Sequence, residues 1–217
     1  MKYIKESITI FFEQKNMVYL FKIYSVAFVL GLASFIFGFV ITNRGVVTEN
    51  NRLWIFSFPS LILFPIGIWV QASSYEAVKR VVGGGVFEFK DTYKTSLKYL
   101  WKFFLTSFIV GLIVIGGLIL LIIPGVIFSI WYAFALWGTV DKGYGISESL
   151  RQSKNLTKGK FWKIVGQISV LVLFTLIVQI GFSFLPKVGT LITTIFGGLF
   201  LLPYYLLYRD LQTEGNI

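Results

Sequence analysis

"FFLTSFIVGLIVIGGLILLIIPGVIFSIWYAFALWGTV", residues 103–140, runs for 38 residues without one charged side chain. A bilayer crossing takes roughly 20 apolar residues at 1.5 Å of rise each. The run is therefore too long for one membrane helix and long enough for two. Pro124-Gly125 lies near its middle. Proline has no amide hydrogen to give a helix, so the expected turn falls there.

Outward from this hairpin, four more charge-free runs are each long enough to cross once: Ile23–Asn43, Leu53–Tyr75, Ile164–Pro186 and Val188–Tyr208. Six spans are expected. Composition agrees, with 56% of the 217 residues apolar, 18% aromatic and only 14% charged. A soluble domain carries about a quarter charged residues. The fold class expected is an all-α integral membrane protein, a single membrane domain over residues 1–217.

The cations sort by loop. Seventeen of the 20 Lys and Arg fall in the N-terminal segment, the second loop, the fourth loop and the tail, leaving Arg44, Arg52 and Lys187 on the other side. Cytoplasmic loops retain Lys and Arg during insertion, so both termini are expected in the cytoplasm (N-in/C-in) of a bacterial plasma (inner) membrane. An even number of spans agrees. The net charge of +10 then serves orientation and attraction to anionic headgroups, each cation contributing about 1 kcal/mol near the surface. Nucleic acid is not an expected partner. The start, "MKYIKESITIFFEQK", is broken up by charge and does not read as a cleavable signal peptide.

Three segments align on an aromatic-Lys pair ahead of a span: "FKIYSVAFVLGL" (21–32), "WKFFLTSFIVGL" (101–112) and "WKIVGQISVLVL" (162–173). Each follows a stretch with helical apolar spacing. These are Ile4, Ile8 and Phe11; Phe89, Tyr93, Leu97, Leu100 and Phe104; and Ile146, Leu150 and Leu156. Such spacing describes an amphipathic helix lying in the interface. Gly83-Gly84-Gly85 breaks the chain before the second of these helices, and Gly159 is placed to end the third. The expected plan is three repeated units of in-plane helix plus transmembrane hairpin, approximately 1–82, 86–143 and 145–210. Their symmetry axis would run along the membrane normal.

Little chemistry is available. There is no cysteine and no histidine, so thiol chemistry, the commonest general base and the commonest transition-metal ligand are all missing. No enzyme, cofactor or metal is expected. Gln71, Gln167, Thr175 and Gln179 could line a polar path or bond between helices. Gly111, Gly116, Gly117, Gly197 and Gly198 could line a passage, or let helices pack closely. Pro65 and Pro203 are expected to kink their spans. Asp141, ending the fourth span, could meet a headgroup amine or a cation, or else pair with a neighbouring lysine or accept from backbone N–H groups of the next helix.

Residues 119–166, "ILLIIPGVIFSIWYAFALWGTVDKGYGISESLRQSKNLTKGKFWKIVG", carry an ordered set of features. They are Pro124-Gly125, the "FAL" of Phe134–Leu136, Asp141-Lys142-Gly143, the step from Leu150 to Ser153, and the "LTKGKFW" of Leu156–Trp162. This stretch resembles the bacterial membrane domain attached to some glycerophosphoryl diester phosphodiesterases, and its standalone relatives of unknown function. The resemblance implies only the membrane module. The phosphodiesterase chemistry of fused members belongs to a separate soluble domain that uses histidines and metal-binding carboxylates, which this chain does not contain.

The function expected is a non-catalytic membrane module whose cytoplasmic face engages anionic membrane lipids or a protein partner. The candidate interface residues are Lys90, Lys94, Lys98, Trp101 and Lys102 in the second loop. Arg151, Lys154, Lys158, Lys160, Trp162 and Lys163 serve in the fourth, with Asp141 beside them. The alternative is a transporter or channel for a small or lipidic solute.

Overall fold

The computed structural model describes residues 2–44, 52–85, 88–183, 194 and 196–215, and among them every regular element is an α-helix. They are α1 (Lys2–Phe12), α2 (Gln14–Asn43), α3 (Arg52–Gly83), α4 (Phe89–Leu97), α5 (Leu100–Leu120), α6 (Ile122–Trp131), α7 (Ala135–Lys142), α8 (Ile146–Thr157), α9 (Phe161–Ser183) and α10 (Gly197–Gly215). Among the described residues, four helical stretches are long and apolar enough to cross a membrane: Gln14–Ile41, Leu100–Leu120, Ile122–Lys142 and Phe161–Gly181. The second expected span is carried by α3, and the sixth ends on α10. The side chains of 51–60, residues 184–193 including Pro186 and Lys187, and most of the first external loop lie outside the described residues.

The hairpin of residues 103–140 forms, but its turn falls earlier than expected. Leu121 is the extended residue between α5 and α6, with φ −164° and ψ 149°. Pro124 instead occupies the first turn of α6, where an amide would have no helical acceptor anyway. The stripe read from Phe89 to Phe104 is also divided. α4 stops at Leu97, and Leu100 and Phe104 already belong to α5. Glycines act where left-handed backbone is needed: Gly84 (φ 74°) follows α3, and Gly159 (φ 76°) follows α8.

The described core lies at one end of the bundle. Phe11, Leu20, Ile23, Val78, Trp137 and Tyr208 are all buried there. Farther along the spans, large aliphatic residues such as Val29, Ile119, Leu121 and Ile177 are exposed. Hydrocarbon accepts such surface, so the apolar halves need no protein cover. The buried end is also the basic end, where the three short helices sit: α1 packs on α10, α4 on α3, and α8 on α7. The α1–α10 contact brings the two ends of the chain together.

The short helices bury a row in which small hydroxyl residues, which apolar spacing does not pick out, join Phe11 and Tyr93, which it does. In α8 it is Ser149, Ser153 and Thr157; in α4, Thr92, Tyr93 and Ser96; in α1, Ser7 and Phe11. Small hydroxyl side chains let these helices lie close to the spans and bond to them. Ser73 and Ser96 share a hydrogen bond of 2.7 Å between α3 and α4, and Thr139 and Ser149 share one of 2.9 Å between α7 and α8. The Tyr19 and Thr92 hydroxyls are likewise bonded, joining α2 to α4.

Ser153 does more. The fourth span is broken at Tyr132–Phe134, between α6 and α7. Ser153 Oγ donates to the Trp131 carbonyl at 2.7 Å and accepts from the Phe134 amide at 3.1 Å. Non-helical backbone at membrane depth is tolerated only where protein re-satisfies it, and here one side chain of α8 meets both freed groups.

Candidate functional site

At the basic end, the cations named from sequence divide into tied and free. Lys102 Nζ donates to the Gly143 carbonyl at 3.0 Å, at the end of α7. Lys154 Nζ lies 4.5 Å from the centre of the Trp131 ring, a cation–π contact. Lys160 and Lys163 both donate to Glu214, at 2.9 and 2.8 Å. These hydrogen bonds hold the Glu214 carboxyl at about 2, below the usual carboxylate range. Asp141 accepts from the Tyr205 hydroxyl at 3.3 Å and lies 3.9 Å from Lys142, so it is engaged within the protein.

Lys90 and Lys94 on α4, Lys98 just after it, Arg151 on α8 and Lys158 just after that helix are exposed, and their side chains have no ion pair or hydrogen bond among the described residues. Beside them stand large apolar side chains in the open: Leu97 is 52% exposed, Trp101 69% and Trp162 81%. Tryptophan with exposed lysine is the arrangement that settles at headgroup depth, its ring partly in the acyl region and the ammonium reaching outward.

The cations of "YEAVKRVV" are not part of this free set. Glu76, a residue not singled out from sequence, is 3% exposed, and its carboxylate gathers the local charge. Arg80 Nε donates to it at 2.8 Å, Lys79 lies 3.7 Å away, and the Tyr99 hydroxyl donates at 3.3 Å. Burial first, and then the Glu76 charge, raise the Tyr99 phenol above its ordinary range, so it remains a donor. Arg80 Nη2 reaches Thr95 of α4 at 2.9 Å, and Lys79 Nζ reaches the Val140 carbonyl of α7 at 3.0 Å. This network ties α3 to its neighbours. The signal was present in sequence, as a lone glutamate at the foot of an apolar run with Lys and Arg three and four residues on.

A pattern joins the three carboxylates at the basic ends of α3, α7 and α10. Glu76 accepts from Tyr99, Asp141 from Tyr205, and Asp210 from Tyr3 at 3.0 Å and from Lys2 at 2.8 Å. In each case the tyrosine comes from another element. Between them sits Trp137, its ring centre 4.3 Å from that of Tyr75 and 4.7 Å from that of Tyr205.

The polar and small residues of the spans fall into ordinary roles. Thr175 donates to the Leu171 carbonyl of its own helix at 2.9 Å. Gln71 and Gln179 are exposed, and Gln167 is half-buried. A Cβ at Gly117 would come within 2.9 Å of the Gly125 Cα, so these two glycines let α5 and α6 touch. Gly197 and Gly198 make room for Tyr24 and Leu20 of α2, whereas Gly111 and Gly116 face open space. Pro65 and Pro203 both lie inside helices.

No family model matches the chain, and neither a curated protein nor a solved structure matches it.

Proposed function

We propose that this chain is a non-catalytic integral membrane module that engages anionic membrane lipid at its cytoplasmic face. The observation that carries the reading is the set of unpartnered cations, Lys90, Lys94, Lys98, Arg151 and Lys158, beside exposed Leu97, Trp101 and Trp162 at one end of the bundle. A surface of this kind gains from both hydrocarbon and anionic headgroups. A cytoplasmic protein partner would compete for the same surface.

The wider plan belongs to the same proposal. It comprises six spans in three hairpin units, both termini in the cytoplasm of a bacterial plasma membrane, and kinship with the membrane domain of the glycerophosphoryl diester phosphodiesterase type. Two features support the threefold plan. Each short helix packs on the second helix of another hairpin, and each of those helices carries, in its basic part, a carboxylate bonded by a tyrosine. A solute path between the hairpins finds less support, because Tyr75, Trp137 and Tyr205 pack together between α3, α7 and α10.

The test is cosedimentation with phosphatidylglycerol-containing vesicles, after reconstitution in nanodiscs of zwitterionic lipid. Neutralising Lys90, Lys94 and Lys98 together with Lys154, Lys158 and Lys160 is expected to abolish binding. Undiminished binding by that variant, with undiminished recovery of any protein partner, would refute the proposal.

A further inference from the structure

The exposed face of α8 forms one wall of a cleft of about 630 Å³, closed on the other side by the last turns of α10. Glu148, Arg151 and Asn155 face it from α8, and Lys158, the residue that follows the helix, completes its cations with Lys142 and Lys160. The spacing of three and four residues puts Glu148, Arg151 and Asn155 on one stripe of that helix, next to the hydroxyl row that holds α8 to the span. Gln152 and Gln212 also line it, and both donate to the buried Tyr208 hydroxyl behind them, at 3.4 and 2.7 Å.

Charge is distributed unevenly along the cleft. Glu148 lies ten residues before Lys158, about 15 Å along the helix axis at 1.5 Å per residue. Seven residues, about 10 Å, separate Arg151 from Lys158. The cationic end, from Arg151 to Lys160, therefore brackets a space that their long side chains reach from either side. Arg151 and Lys158 are exposed and have no side-chain partner among the described residues. At this end, Glu214 lines the cleft and takes Lys160 and Lys163 for itself. A single carboxylate between two ammonium groups is the arrangement a phosphate also adopts.

We infer that the cationic end of the α8–α10 cleft binds a phosphate-bearing anion, and that Glu214 is the built-in competitor for Lys160 and Lys163. The proposal rests on the anion-binding reading above, and it moves the specific contact from the free lysines of α4 to this cleft. Arg151 supplies a planar fork for two phosphate oxygens, and Lys158 and Lys160 supply point charges. Incoming phosphate displaces a carboxylate that then faces water.

The experiment is isothermal titration of the full chain in non-ionic detergent with two probes, dihexanoyl phosphatidic acid below its micelle concentration and inorganic phosphate. R151Q/K158Q alters two exposed side chains and is expected to keep the thermal unfolding midpoint while weakening binding about tenfold or more, the loss of at least one charge-assisted contact. Glu214→Gln is expected to tighten binding, and K90Q/K94Q/K98Q to leave it unchanged. Losses against both probes assign a free phosphate-bearing solute, and a loss against the lipid alone assigns a headgroup on its glyceride; either supports the cleft. Binding by R151Q/K158Q equal to the parent, or weaker binding by Glu214→Gln, overturns it. If the α4 variant alone loses vesicle binding, the cleft fails and the wider lipid reading stands. If no variant changes either assay, both fail.

Discussion

Two side chains hold more of this protein than their sequence surroundings suggest. Ser153 closes the break in the fourth span by serving both the Trp131 carbonyl and the Phe134 amide. Ser153→Ala leaves the buried Phe134 amide and the half-buried Trp131 carbonyl unpaired and is expected to cost about 1–3 kcal/mol, read as a lowered unfolding midpoint in detergent. A variant as stable as the parent would show that the break satisfies itself. Glu76 is the second case. Glu76→Ala takes from Arg80, whose side chain is 19% exposed, its carboxylate partner while leaving its bond to Thr95, and is expected to cost about 1–3 kcal/mol by the same measurement. Neither role was fully legible. The break at Tyr132–Phe134 is set by a residue some twenty positions away, so no local window contains its cause. Glu76 with Arg80, by contrast, could have been read as a pair one helical turn apart.

At the level of elements, the short helices form at 2–12, 89–97 and 146–157, in the stretches whose spacing called for them. The apolar spacing marks part of the inward face, since Phe11 and Tyr93 are buried. Apolar residues mark the face that avoids water, but a helix against a membrane bundle has hydrocarbon as well as protein to meet. Leu97 and Ile8 are exposed, while Ser96 and Ser7 are buried. The hairpin turn was misplaced for a related reason. From Ile113 to Ile123 the residues are all aliphatic or glycine, so no polar residue marks the tip, and the proline was the only visible signal. The α5–α6 contact gives a test. Gly117→Ala meets backbone at Gly125 and is expected to destabilise the hairpin by about 1–3 kcal/mol. Gly116→Ala, in open space, is expected to be neutral or slightly stabilising. Equal midpoints for the two variants would contradict the close approach.

Across the whole molecule, the described packing is concentrated where the charges are, and the apolar halves of the spans are left to the lipid. The ends of the chain meet through Lys2, Tyr3 and Asp210, while Glu214 fastens the end of α10 to the start of α9. Because the Glu214 carboxyl is lowered from its ordinary 4.5 to about 2, its contribution is present above pH 4.5 and is lost as pH falls toward 2. Carbon NMR of this carboxyl is expected to show a midpoint well under 4; a midpoint near 4.5 would mean that the two lysines do not hold it. In the proposed arrangement the free cations of α4 and α8 share one cytoplasmic face of a membrane-spanning bundle. The chain has no cysteine, so single introduced thiols report their positions without background. With a membrane-impermeant maleimide on intact cells, Arg44→Cys is expected to label, and Lys94→Cys and Lys158→Cys to label only after permeabilisation. Labelling of either Lys94→Cys or Lys158→Cys from outside would contradict the claim.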